Sequence, residues 1–228
     1  AALIRSVTDQ PVKVVINSGG QDHRWLGNDY FKARGARIIA SKQAVEDQRA
    51  RVQDQLFMLN TLVGVQGMEG TEPVYSEQPF DGSSRFTLGG VVFELRHAGP
   101  AHTPGDSIVW LPQERIAFSG EIVYVERLLG VLEYSNSRHW LQAFDALAAL
   151  QPKVVIPGHG AVTNMTRAKA DTYDYLLSLR QVVKDFRQNG GGIEAISTVD
   201  QSRFSKLEGY DLLKGRNAQQ VFQELEWE

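Results

Sequence analysis

Three turns carry the residues with which this sequence could do chemistry. His102 lies in His97-Ala-Gly-Pro-Ala-His-Thr-Pro-Gly-Asp106, Glu121 ends Ser119-Gly-Glu121, and His159 sits in Pro157-Gly-His-Gly160. An apolar run precedes each turn, so all three can meet on one rim of a sheet. Imidazole and carboxylate donors gathered there suit a metal ion. The 228 residues include no cysteine. Thiolate ligands, thiolate nucleophiles and disulfides are therefore excluded, and any metal must be held by nitrogen and oxygen. A fourth stretch, Asn17-Ser-Gly-Gly-Gln-Asp-His-Arg-Trp-Leu-Gly-Asn28, offers Asp22 and His23 as further ligands, with Arg24 and Trp25 beside them.

The elements that must position these turns follow from periodicity. Residues 1–9 read as the tail of a helix and 11–16 as a buried strand of β-branched residues. After the 17–28 loop a short helix from Asp29 stops at Gly35, residues 37–40 form a strand, and Ser41 caps a long helix. That helix shows an apolar face of Val45, Val52, Leu56, Leu59 and Val63 and is expected to end at the glycines 64, 67 and 70. Residues 91–96, 108–111 and 116–119 alternate as strands with turns. Asn136 or Ser137 caps a helix striped by Trp140, Phe144, Leu147 and Leu150, residues 153–156 form a strand, and Thr163 is expected to open another long helix. No internal repeat or low-complexity linker divides the chain, so residues 1–228 are expected to form one α/β domain.

Composition narrows the function. Net charge is −3 with acids and bases interspersed, which leaves no basic face for a phosphate backbone and argues against a nucleic-acid partner. No apolar run approaches the roughly 20 residues that cross a bilayer, so no membrane partner is expected. The expected partner is a small-molecule substrate. The chain reads as soluble; cytoplasmic and periplasmic proteins can both lack cysteine, so the compartment stays open.

With these residues laid out, the chain resembles the metallo-β-lactamase-fold hydrolases over nearly its whole length. His-Thr-Pro-Gly-Asp after a strand, Ser-Gly-Glu after a hairpin and Pro-Gly-His-Gly after a Trp-bearing helix occur in that family's order. The resemblance implies a four-layer αβ/βα sandwich with a metal site along one edge. It also implies that the first strands of the sandwich precede the point where this sequence starts, which would leave a sheet edge able to dimerise. The family's His-x-His-x-Asp-His motif is degenerate here, because its first two histidines have no counterpart.

Two registers follow. Aligning Asp22-His23 with the family's Asp-His keeps one metal position, held by Asp22, His23, Glu121 and His159. A gapless register instead puts Gly19 and Gln21 at the first two histidines, His23 at the Asp and Arg24 at the last histidine. There a fixed guanidinium could replace metal charge. The first is preferred because hydrolysis of an ester, thioester, lactone or amide calls for a Lewis acid. On that register the resemblance implies one ion, zinc or else iron or manganese, with none as the alternative. Glu121 would be ligand or general base, and His102 a ligand or a group that polarises a carbonyl. Asp106 would orient a ligand, and Arg24 and Trp25 would recognise a carboxylate-bearing substrate. The competing reading keeps the scaffold without catalysis and binds a small anion or a protein partner at the same cleft.

Overall fold

The computed structural model describes residues 2–228. A short helix α1 (Ala2–Arg5) leads to β1 (Val14–Ile16), which pairs in parallel with β2 (Arg37–Ile39) across the helix α2 (Asn28–Lys32). The helix α3 (Lys42–Met68) follows, and then a five-stranded sheet in the order β3 (Ser83–Leu88), β4 (Val91–His97), β5 (Ser107–Leu111), β6 (Ile116–Tyr124), β7 (Val154–His159). The first three pairings in that sheet are antiparallel, and β6 with β7 is parallel across α4 (Ser137–Ala149). After β7 come α5 (Met165–Ala168), a π-helical turn over Lys169–Tyr173, α6 (Asp174–Gln188) and α7 (Tyr210–Glu224).

Alternation along the strands builds two cores. Ile108 and Trp110 on β5, Ala117 on β6 and Val155 on β7 pack with Trp140, Phe144 and Leu147 of α4 and Leu176 and Leu179 of α6. Opposite faces of the same strands carry Leu95, Val109, Phe118 and Ile156 as one cross-strand row. Leu95 and Val109 of that row pack against Val14, Ile16 and Ile39 of the small sheet. A sheet buried on both faces needs apolar residues at successive positions, as Ile108-Val109-Trp110 supplies. The result is a mixed α/β sandwich with helices beyond the sheets, in accord with the expected fold class.

Caps and stops agree with the sequence at several points. The Ser41 hydroxyl accepts from Ala44 N at 3.1 Å, the Asn136 side chain accepts from His139 N at 2.9 Å, and Gly35 takes a positive φ of 84°. One helix differs from expectation. Thr163 pairs with Val155 in an isolated bridge, and Asn164 caps α5 instead. Helix α3 is broken at Gly64, where φ is 73°, and ends at Met68, among the glycines expected to stop it. Its buried residues are Ala44, Val45, Asp47, Gln48 and Gln55, while Phe57, Met58, Leu62 and Val65 are exposed. Of the apolar stripe read from the sequence, Val45 is buried, Val52, Leu56 and Leu59 are half-buried and Val63 is exposed, so the stripe packs fully only at its amino-terminal end. The buried face carries amides because it lies against the backbone of a polar loop.

Candidate functional site

The 17–28 loop is held by side chains that satisfy its own backbone. Gln55 donates to Gly20 O at 2.8 Å and accepts from Trp25 Nε1 at 2.7 Å. Asn17 and Asn28 exchange amide hydrogen bonds at 2.9 Å, closing the base of the loop. Loop carbonyls buried away from water need such partners, and α3 supplies them. Trp25 is thereby buried, stacked on Tyr75 with ring centroids 5.1 Å apart. It lies in the packing beneath the loop and not at a cleft mouth, which corrects the expectation that it meets substrate.

Glu121, buried within β6 just after Gly120, is the centre of the site. His23 Nε2 lies 3.6 Å from its Oε1 and His159 Nε2 lies 3.4 Å from its Oε2. Tyr124 donates its hydroxyl to Oε2 as well, and its ring stacks on His159 with centroids 4.7 Å apart. Three of the expected side chains therefore converge. Gly158 allows the approach, since a Cβ there would stand 2.7 Å from Gly120 O and 2.9 Å from Glu121 Oε1. Burial alone would raise the Glu121 pKa, but His159, His23, Arg24 and Tyr124 hold it well below the usual carboxylate range. His23 is pushed up to about 9 by its bond to Asp22 and by Glu121, so it is an imidazolium at neutral pH.

The remaining expected residues are placed differently. Asp22 turns to its neighbour, its Oδ1 3.1 Å from His23 Nδ1 and 2.7 Å from His23 N, on the side of the ring away from Glu121. It does not join the convergence. His102 is buried; its Nδ1 lies 3.0 Å from Gly130 O, so that nitrogen carries the proton, and its Nε2 has no partner. Trp140 and Tyr124 pack on its ring, and burial keeps its pKa below the ordinary imidazole value. His97 Nδ1 bonds Asp106 O at 2.8 Å, and His139 is exposed at the start of α4.

Arg24 is almost wholly buried, and its Nη1 donates to Asp106 Oδ1 at 2.5 Å. The Thr103 backbone N–H and hydroxyl each donate to the same carboxylate at 2.8 Å. Asp106 thus orients an arginine. The other guanidinium nitrogen, Arg24 Nη2, is buried without a partner. It lies beside Gly120, where an added Cβ would stand 2.9 Å from it and 2.8 Å from Ser18 Oγ. Ser18, Arg24, His23, Glu121, His159 and Phe118 all border a single cleft of about 470 Å³.

These residues do not fit a metal centre as they stand. Among the described residues, no three or more His, Asp or Glu side chains are arranged to hold one ion. Asp22 is engaged elsewhere, both Glu121 oxygens already have neighbours, and a guanidinium lies close by. The expected set of Asp22, His23, His102, Glu121 and His159 is therefore not assembled around a single position. The sequence did not single out Tyr124 or the space left by Gly19 and Gly120. Tyr124 stands three residues after Glu121 on the same strand, a spacing that by itself signals nothing.

Comparison with known proteins gives the context. A model of the metallo-beta-lactamase superfamily matches residues 2–159. The metallo-beta-lactamase type 2 of Elizabethkingia meningoseptica is 24% identical over 182 residues, which is 75% of this chain and 63% of that protein. A beta-lactamase-like protein 2 homolog of Caenorhabditis elegans is 26% identical over 105 residues, covering 45% of this chain and 33% of that one. The chain thus spans less than two thirds of either curated relative. A metallo-beta-lactamase structure from Pontibacter korlensis superposes with a TM-score of 0.59 at 24% identity, over 77% of this chain and 74% of that one. A stereoselective inverting sec-alkylsulfatase from Pseudomonas sp. gives a TM-score of 0.76 at 17% identity, over 97% of this chain and 42% of that one. No helix among the described residues is long and apolar enough to cross a membrane. With its sandwich, its ordered turns and a family match over more than half its length, this chain belongs to the metallo-beta-lactamase superfamily.

Proposed function

We propose that the cleft binds a small organic anion on a scaffold inherited from hydrolases. The observation that carries this reading is Arg24 Nη2, a buried N–H donor without a partner on a side chain that borders the cleft. A buried donor left unpaired is costly, and an anion's oxygen would satisfy it. His23 adds a second cation at the mouth, half-exposed, and Ser18 stands beside Arg24. Phe93, Phe118 and Ile156 give the cleft an apolar wall, so an anion with a hydrocarbon tail suits it better than a bare ion. The alkylsulfatase among the structural neighbours is named for substrates of that kind.

Isothermal titration with octyl sulfate, octanoate and acetate tests this. Octyl sulfate or octanoate is expected to saturate one site, with acetate weaker and His23→Ala losing about tenfold in affinity, as charge-assisted hydrogen bonds generally contribute. Absence of saturable heat with all three would refute it.

The convergence of His23, Glu121 and His159 favours a second reading, a hydrolase of an ester, thioester, lactone or amide that uses a single ion. That reading requires the Glu121 contacts to Tyr124 and the histidines to open. Turnover of an acyl-ester panel that depends on added zinc, manganese or iron would favour it over the first.

A further inference from the structure

We propose that Arg24 is a built-in cation that takes over the charge-balancing role of a metal ion, and that glycines at 19 and 120 are what admit it. Two carboxylates, Asp106 and Glu121, are buried within the site. Buried charges need compensation by opposite charge and hydrogen bonds. Arg24 is ion-paired to Asp106 and borders the same cleft as Glu121.

The slot that holds its guanidinium is walled by two glycines, Gly19 on the polar loop and Gly120 within β6. A side chain at position 19 would overlap Arg24 Nη1 and come within 2.6 Å of Asp106 Oδ1. At position 120, where φ is 50°, a Cβ would stand 2.9 Å from Arg24 Nη2. Neither Gly19 nor Gly120 could carry a ligating side chain while the arginine is seated, and a divalent ion next to a fixed guanidinium would be repelled. Arginine and metal are therefore mutually exclusive occupants of this part of the cleft. The inference stands whether or not an organic anion also binds.

Thermal unfolding of the whole chain in EDTA and in equimolar zinc is the test, with Arg24→Met and Gly19→Ala alongside. The wild-type Tm is expected to agree within about 1 °C between the two conditions, because a metal that does not bind the native state cannot stabilise it. Arg24→Met is expected to melt about 10 °C lower in EDTA, the scale for breaking a buried pair in a chain of this size. Zinc should then raise the Arg24→Met Tm, since Asp106 has lost its cation and the slot is open to another. A wild-type Tm that climbs with zinc overturns the proposal, as does an Arg24→Met variant that matches wild type or ignores zinc. Should Arg24→Met not fold, Gly19→Ala decides: a Tm lowered by several degrees supports the slot, and an unchanged one overturns it.

Discussion

Glu121 is the residue on which the charges of the site balance, and its neighbours can be probed one at a time. His23 bonds Asp22 through one ring nitrogen and faces Glu121 with the other. Its titration, followed by proton NMR, is expected to centre on a pH of about 9. In Asp22→Asn the midpoint should fall towards the unperturbed imidazole value of about 6.5, because the larger of the two stabilising contacts is gone. A wild-type midpoint near 6.5 would show that neither carboxylate engages the ring. Tyr124→Phe removes a hydroxyl that donates to Glu121. That carboxylate keeps its histidine neighbours, so the change is expected to cost about 1 kcal/mol by chemical denaturation while leaving the near-ultraviolet signal of the tryptophans in place.

At the scale of elements, the polar loop 17–28 and the helix α3 depend on each other. Gln55 is the joint between them, bonding both Gly20 O and Trp25 Nε1. Gln55→Leu leaves two buried groups unsatisfied and is expected to lower stability by about 2–4 kcal/mol in urea unfolding, against about 0.5 kcal/mol or less for an exposed change such as Gln66→Leu. Equal effects would mean that the loop is not anchored through the helix. The same elements show what the sequence could disclose. The strands, the caps at Ser41 and Asn136, the turn bearing His102 and the strand end bearing His159 were legible because their signals are local: β-branched runs, a hydroxyl or amide before a helix, glycine and proline at a turn. Glu121 lies not on a turn after Ser119 but within β6, which runs on to Tyr124 through an irregularity at Gly120. The packing face of α3 was legible only in part. Val45 of the apolar stripe is buried, but Val52, Leu56 and Leu59 are only half-buried, whereas Gln48 and Gln55 are buried because they bond the carbonyls of Gly19 and Gly20, 29 and 35 residues away. Arg24 was ambiguous for a similar reason, since its partner Asp106 lies 82 residues further along.

Across the whole molecule, the raised His23 pKa links stability to pH. A group whose folded pKa lies above its unfolded one stabilises the fold fully below the unfolded value and loses that contribution as pH rises through the folded value. The contribution of His23 is therefore complete below about pH 6.5 and lost as pH passes through about 9. The ring is half-exposed, so solvent screening keeps the effect small. A Tm decline of about 2 °C between pH 6.5 and 9.5, absent in His23→Gln, is the expected result by scanning calorimetry. A decline of the same size in the variant would assign it to other groups.

The central claim is that a guanidinium, and not a metal, completes the charge balance of this cleft. A crystal of the wild-type chain soaked in zinc and measured above and below the zinc absorption edge tests that most directly. Arg24 is expected to remain on Asp106, with no anomalous peak among His23, Glu121 and His159. A peak at that position, bonded to those three side chains, would contradict the claim.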